Sequence, residues 1–160
     1  ERHFITINCR HRGCDQLLQY SSDLLESAQH YDKIGRWHLW LMLVMPDHIH
    51  FIATFDLSKG IQPSVTAWKR YQATHLSINW QPDFFEHRLR NSSECDEKCH
   101  YIRMNPVRAE LTDYPEEWPH ILDRISIDSG SAGGVALPEN SKYIGRAKRP
   151  AKPFPTEENS

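Results

Sequence analysis

The sequence lacks the features that mark membrane, secreted or nucleic-acid-coating proteins. None of its apolar runs approaches the roughly 18 residues a membrane-spanning helix needs. The longest, from Leu39 to Met45, is the length of a strand. The chain opens Glu1-Arg2-His3, without the apolar segment of a signal peptide. It also opens without Met, so further residues upstream are expected. A cytoplasmic location with no membrane partner follows as an expectation. Basic charge is not in excess: 19 Lys and Arg stand against 21 Asp and Glu. That balance argues against a whole-surface coat for nucleic acid and leaves room for a local basic groove. Cysteine is sparse. Cys9, Cys14, Cys95 and Cys99 are spaced C-x4-C and C-x3-C, not C-x2-C, and read as reduced thiols rather than a zinc site. There is no internal repeat.

What the chain does have is a body with alternating strand and helix signals, then a tail. Residues 1–125 are expected to form the folded domain. From about Ser129 the texture changes: Gly130, Gly133 and Gly134 are followed by Pro138, Pro150, Pro153 and Pro155. The segment 126–160 is expected to be a flexible tail. Its Lys142, Arg146, Lys148, Arg149 and Lys152 make either a solvated linker or an arm that tracks phosphates. In the body, His3–Cys9 alternates as a strand should. Ser22 or Asp23 can cap a helix running to about Tyr31. Trp37–Met45 and His48–Phe55 read as two strands joined at Pro46-Asp47, a hairpin. A helix is expected from near Pro63 to about Ile78, and a short strand over Phe84–Leu89. Ser93, with Asp96 three residues on, opens a last helix. Pro106 should end or kink that helix at Asn105. The sum is an α+β fold, an antiparallel sheet with helices on one face.

Histidine is abundant, at 10 of 160 residues. His48-Ile49-His50 lies on a strand, where residues two apart point the same way. Both imidazoles can then grip one metal ion while Ile49 enters the core. A His-x-His is expected by chance about 0.6 times at this histidine content, so the motif alone leaves open two partly buried strand histidines. Tyr101 and Asn105 are four apart on a helix and share one face. A phenol can act as a covalent nucleophile, and an amide oxygen can complete a metal site. The plainer reading is a helix-end Tyr and an Asn serving the turn before Pro106.

Taken together these segments resemble a known family. Met45-Pro46-Asp47-His48-Ile49-His50, then Phe84-Phe85-Glu86-His87-Arg88-Leu89-Arg90, then Tyr101-Ile102-Arg103-Met104-Asn105-Pro106-Val107-Arg108-Ala109-Glu110-Leu111 are similar to motifs of the REP-associated tyrosine transposases. These are HUH single-strand nucleases related to single-tyrosine transposases. The likeness runs from about Phe4 to Trp118. The family usually has Asn and Val where this chain has Asp47 and Ile49, and Gly where it has Glu110. Asp47 adds a negative charge beside the histidines.

The resemblance implies an HUH, ferredoxin-like palm fold and a metal-dependent strand transferase or endonuclease acting on hairpin or palindromic single-stranded DNA. His48 and His50 would be metal ligands, Asn105 the third ligand, and Tyr101 the nucleophile that forms a 5′-phosphotyrosine link. Mg or Mn is the implied cofactor. A free tyrosine is only about 0.1% phenolate at pH 7, so a base is needed; His87 and His100 are candidates. DNA contacts are expected from Trp68, Lys69 and Arg70 on the middle helix, from Arg88 and Arg90 on one strand, and from Arg103 and Arg108 flanking the tyrosine. The plainer readings are core packing for Trp68 and solvated surface charge for each Arg. A monomer is expected, with a dimer sharing sites as the alternative. The competing functional reading is a non-catalytic module of the same fold that binds hairpin DNA or RNA.

Overall fold

The hairpin that Pro46-Asp47 implies is the centre of the molecule. In the computed structural model, which describes residues 1–125, β2 (Trp37–Val44) and β3 (His48–Phe55) pair antiparallel around it. The turn is closed by Met45 N–H donating to His48 C=O at 2.8 Å. β1 (Arg2–Asn8) lies on the other side of β3, with Thr6 opposite His50 and Asn8 opposite His48. β4 (Phe85–Leu89) adds to the free edge of β1, and β5 (Ile121–Asp123) to the free edge of β2. The sheet is antiparallel throughout, in the order β4-β1-β3-β2-β5. The tail expected over 126–160 lies outside the described residues.

Strand alternation divides the core in two. Ile5, Ile7, Ile49, Phe51 and Ala53 point to one face, where they meet α2 (Ser21–Lys33) and α3 (Ile61–Leu76). A short α1 (Gln16–Gln19) leads into α2. Phe4, Leu41, Leu43 and Ile52 point to the other face, where α4 (Ser92–Arg108) covers them with Cys95, Cys99 and Ile102. Helices therefore pack on both faces, not on one as the sequence suggested. The amphipathic stripe of a helix says that it packs, but not on which side. A register shift between Leu39 and Leu41 lets those two residues serve opposite faces.

The ends of α4 also differ from expectation. Its N-cap is Asn91, whose side chain accepts from Glu94 N–H at 2.9 Å, rather than Ser93. The helix also runs through Pro106 to Arg108. Proline removes one hydrogen bond, but the chain needs only one more turn, and that turn is closed otherwise. Glu110 N–H donates to Val107 C=O and Leu111 N–H to Pro106 C=O, both at 2.9 Å, with Glu110 left-handed at φ 57°. This is the Schellman arrangement. The sheet also separates the cysteines. Cys9 is buried with α2 and α3, with Cys14 packed against that core, and Cys95 and Cys99 are buried on the inner side of α4. The four cannot share an ion, and burial pushes the Cys9 thiol up to about 12.

Candidate active site

β3 begins at His48, so His48 and His50 point to the α4 face together. Their ring centroids are 4.7 Å apart. Each ring is fixed at its Nδ1 by a neighbouring side chain, one adjacent in sequence and one from β1. The Asp47 carboxylate lies 2.6 Å from Nδ1 of His48. A carboxylate only accepts, so that nitrogen carries the proton. The Thr6 hydroxyl, one strand over, lies 2.8 Å from Nδ1 of His50. In His48 Nε2 is then left as the ligating nitrogen; a hydroxyl donates or accepts, so Thr6 fixes the orientation of the His50 ring rather than its tautomer. His50 is buried, stacks on Phe4, and its Nε2 is buried without a hydrogen-bond partner. Burial, and then the neighbouring His48, push its pKa down to about 3, so the ring is neutral. A buried, neutral, unpartnered imidazole nitrogen beside a second imidazole is the donor set that a divalent cation takes.

Asp47 is not a loose negative charge. Burial alone would raise its carboxyl. Hydrogen bonds from His48 and from Gly13 N–H, with the Arg12 guanidinium nearby, outweigh that and hold it down at about 2. Arg12 Nε lies 3.3 Å from Oδ2, and the same guanidinium also bonds the Asn8 side chain.

Tyr101 faces this pair from α4. Its ring centroid is 5.5 Å from that of His50 and 6.1 Å from that of Phe4. The cavity between them is about 460 Å³ and is lined by Tyr101, His48 and His50, with Phe4, Thr6, Asn8, Arg12, Phe85 and Lys98. Asn105 follows one turn after Tyr101, half-buried on the same helix, and is not among the lining residues. Neither are His87 and His100. His87 Nε2 lies 3.9 Å from Glu94.

The expected DNA-contacting residues scatter. Arg108 does not line the cavity but lies over the Tyr101 ring, its guanidinium carbon 5.4 Å from the ring centre. Arg103 is tied to Asp123 at 2.7 Å. Arg88 projects to the face opposite the cavity, because its pairing partner is His3, and it lies 3.6 Å from Glu1. Arg90 falls just past the end of β4.

Two expectations on α3, those for Trp68 and Lys69, are corrected. Trp68 is 0% exposed in the core beneath the sheet, its indole N–H donating to Ser27 at 3.1 Å, so no base can stack on it. Lys69 is buried too, and its ammonium donates to the carbonyls of Gln81, Pro82 and Asp83. Arg70 is exposed, but on the helix layer behind the sheet. Thr6, Phe85 and Lys98 were missed. They reach the cavity from three separate elements, and only the strand register brings Thr6 and Phe85 together.

No protein-family model matches the chain. The chain is 33% identical over 122 residues to a REP-associated tyrosine transposase of Escherichia coli strain K12, covering 72% of each chain. Its fold is similar to a solved REP-associated tyrosine transposase bound to a REP hairpin, with a TM-score of 0.65 and 24% identity, covering 81% of this chain and 80% of that one. With a curated relative at this identity and coverage, the chain belongs to the REP-associated tyrosine transposase family.

Proposed function

We propose that the protein is a metal-dependent single-stranded DNA endonuclease and strand transferase that acts on hairpin or palindromic repeat DNA. The observation that carries this reading is Tyr101 on the wall of the cavity whose opposite wall is His48 and His50, with Nε2 of His50 buried and unpartnered. The solved relative with this fold is bound to a REP hairpin.

His48 and His50 would hold a divalent ion through Nε2, with Mg or Mn the expected metal. Asn105 is proposed as third ligand on its helix position alone. Such an ion, when bound, would polarise the scissile phosphate and neutralise charge in an in-line displacement. The chain supplies the rest. Asp47 holds His48 in the ligating tautomer, and Thr6 holds the His50 ring in place. The hydroxyl oxygen of Tyr101 attacks phosphorus, the phenol losing its proton. The bond from phosphorus to the 3′ oxygen breaks, and that oxygen takes up a proton as a free 3′-hydroxyl. Tyr101 retains the 5′ phosphate as an ester, so a second 3′-hydroxyl can reverse the step and join strands. Arg108, over the Tyr101 ring, adds positive charge beside the phosphate.

The test uses single-stranded hairpin DNA labelled at either end, incubated with the protein and Mn²⁺ and run on a denaturing gel. A protein-linked band that retains the label 3′ to the cut, is removed by chelator and protease, and is missing with Tyr101→Phe is the expected result. Tight binding without any adduct would favour the non-catalytic binding module instead.

A further inference from the structure

One wall of the cavity has no part in holding the histidines or the nucleophile. Phe85 opens β4, the edge strand, and pairs with Thr6, so its ring is on the same sheet face as His50 and one strand further out than Thr6. It touches Phe4 edge-on, with centroids 6.1 Å apart, and remains 54% exposed. Five large hydrophobic residues are exposed among the described residues, and Phe85 is the one that lines this cavity. A single exposed phenylalanine needs no explanation. A second feature on the same wall does.

Lys98 lies one turn before Tyr101 on α4 and is half-buried. Its ammonium is held over ring faces, 5.0 Å from the centre of Phe4 and 5.4 Å from that of Tyr101. Among the described residues no carboxylate or carbonyl pairs with it. The other lining cation, Arg12, is already committed to Asp47 and Asn8. The wall therefore offers one flat aromatic face and one ammonium with its three donors free. The complementary ligand is planar and aromatic at one end and anionic at the other.

We infer that Phe85 and Lys98 form a subsite for one unpaired nucleotide of single-stranded DNA, next to the phosphate that Tyr101 attacks. Phe85 stacks the base and Lys98 binds a phosphate oxygen. A base inside a duplex has both faces covered by its neighbours, so only an unpaired one can lie on Phe85. The subsite thus makes strand state a requirement at the point of cutting. Stacking of this kind tolerates any base. The inference rests on the proposed function for the location of the scissile phosphate.

Binding is measured with Tyr101→Phe protein in chelator, so that no adduct forms. The probe is a DNA hairpin with a four-thymidine single-stranded flank on each side, in which 2-aminopurine or an abasic residue is scanned through every flank position. At one position the 2-aminopurine should be quenched, and the abasic residue should weaken binding about 5- to 150-fold, the range for loss of one stacked base. Phe85→Leu should remove both effects and Phe85→Trp should keep them. Lys98→Met should lower the slope of log K against log salt by about 0.7, the loss of one single-strand phosphate contact. Quenching and the abasic penalty unchanged in Phe85→Leu would overturn the subsite and leave the proposed function standing. No binding of any probe would overturn both. Tighter binding of the all-ribose hairpin would overturn the assignment to DNA.

Discussion

The Asp47 carboxylate stands 2.6 Å from Nδ1 of His48, while its other oxygen accepts from Gly13 N–H at 2.8 Å. The residue between the turn and the strand thus ties the loop after β1 to the first histidine. A carboxylate in this position fixes the tautomer of a ligating imidazole and raises its basicity. Asp47→Ala should weaken Mn²⁺ binding about 10- to 100-fold in a calorimetric titration. An unchanged affinity would show that His48 is oriented without it.

Lys69 separates a structural role from a DNA-binding one. Its ammonium gathers three consecutive carbonyls of the segment that leads into β4, at 2.7, 2.8 and 3.2 Å. Lys69→Met should cost about 1–3 kcal/mol in urea denaturation, the range for groups left unpaired. It should leave the salt slope of DNA binding unchanged. A slope reduced by about 0.7, with stability intact, would restore Lys69 as a phosphate contact.

Glu110 occupies a left-handed position, φ 57°, at the end of α4. A residue with a Cβ pays a steric penalty there that glycine does not. Glu110→Gly should raise stability by about 0.5–1 kcal/mol, read as a higher denaturation midpoint. A lower midpoint would mean that the side chain contributes more than the strain removes.

His50 gives stability a pH dependence of definite sign. Its folded pKa, about 3, lies below the ordinary 6.5 because the neutral ring is buried. Between those values the unfolded chain binds the proton and the folded one does not. The stabilisation is therefore full above pH 6.5 and is lost as pH falls toward 3, at roughly 1 kcal/mol per unit. His120, also lowered by burial, acts in the same direction. Urea midpoints should fall from pH 7 to pH 4.5, and less steeply in His50→Asn. Parallel profiles would contradict the buried neutral ring.

The sequence was most legible where a local period reports a local fact. The alternation in His48–Phe55, with Pro46-Asp47 before it, gave β3 to the residue and set both histidines on one face. β5 escaped notice because three residues carry no period of their own and owe their strand form to β2. Of the two outcomes expected at Asn105, an end or a kink, the end does not occur: Pro106 forbids a long continuation, not a final turn. Trp68-Lys69-Arg70 looked like one patch because adjacent letters do. The helix turns Trp68 and Lys69 inward and Arg70 outward. The site was half legible: the histidines and Tyr101 announce themselves by spacing, whereas Thr6, Phe85 and Lys98 meet only through register and packing.

The most direct test is to digest the covalent complex with protease and map the nucleotide-bearing peptide by mass spectrometry. The mass of a 5′-phosphodeoxynucleotide should sit on Tyr101 alone, in protein incubated with Mn²⁺ and hairpin DNA. The same adduct mass on another residue, or DNA cut with no adduct on any peptide, would contradict a tyrosine-linked mechanism at this site.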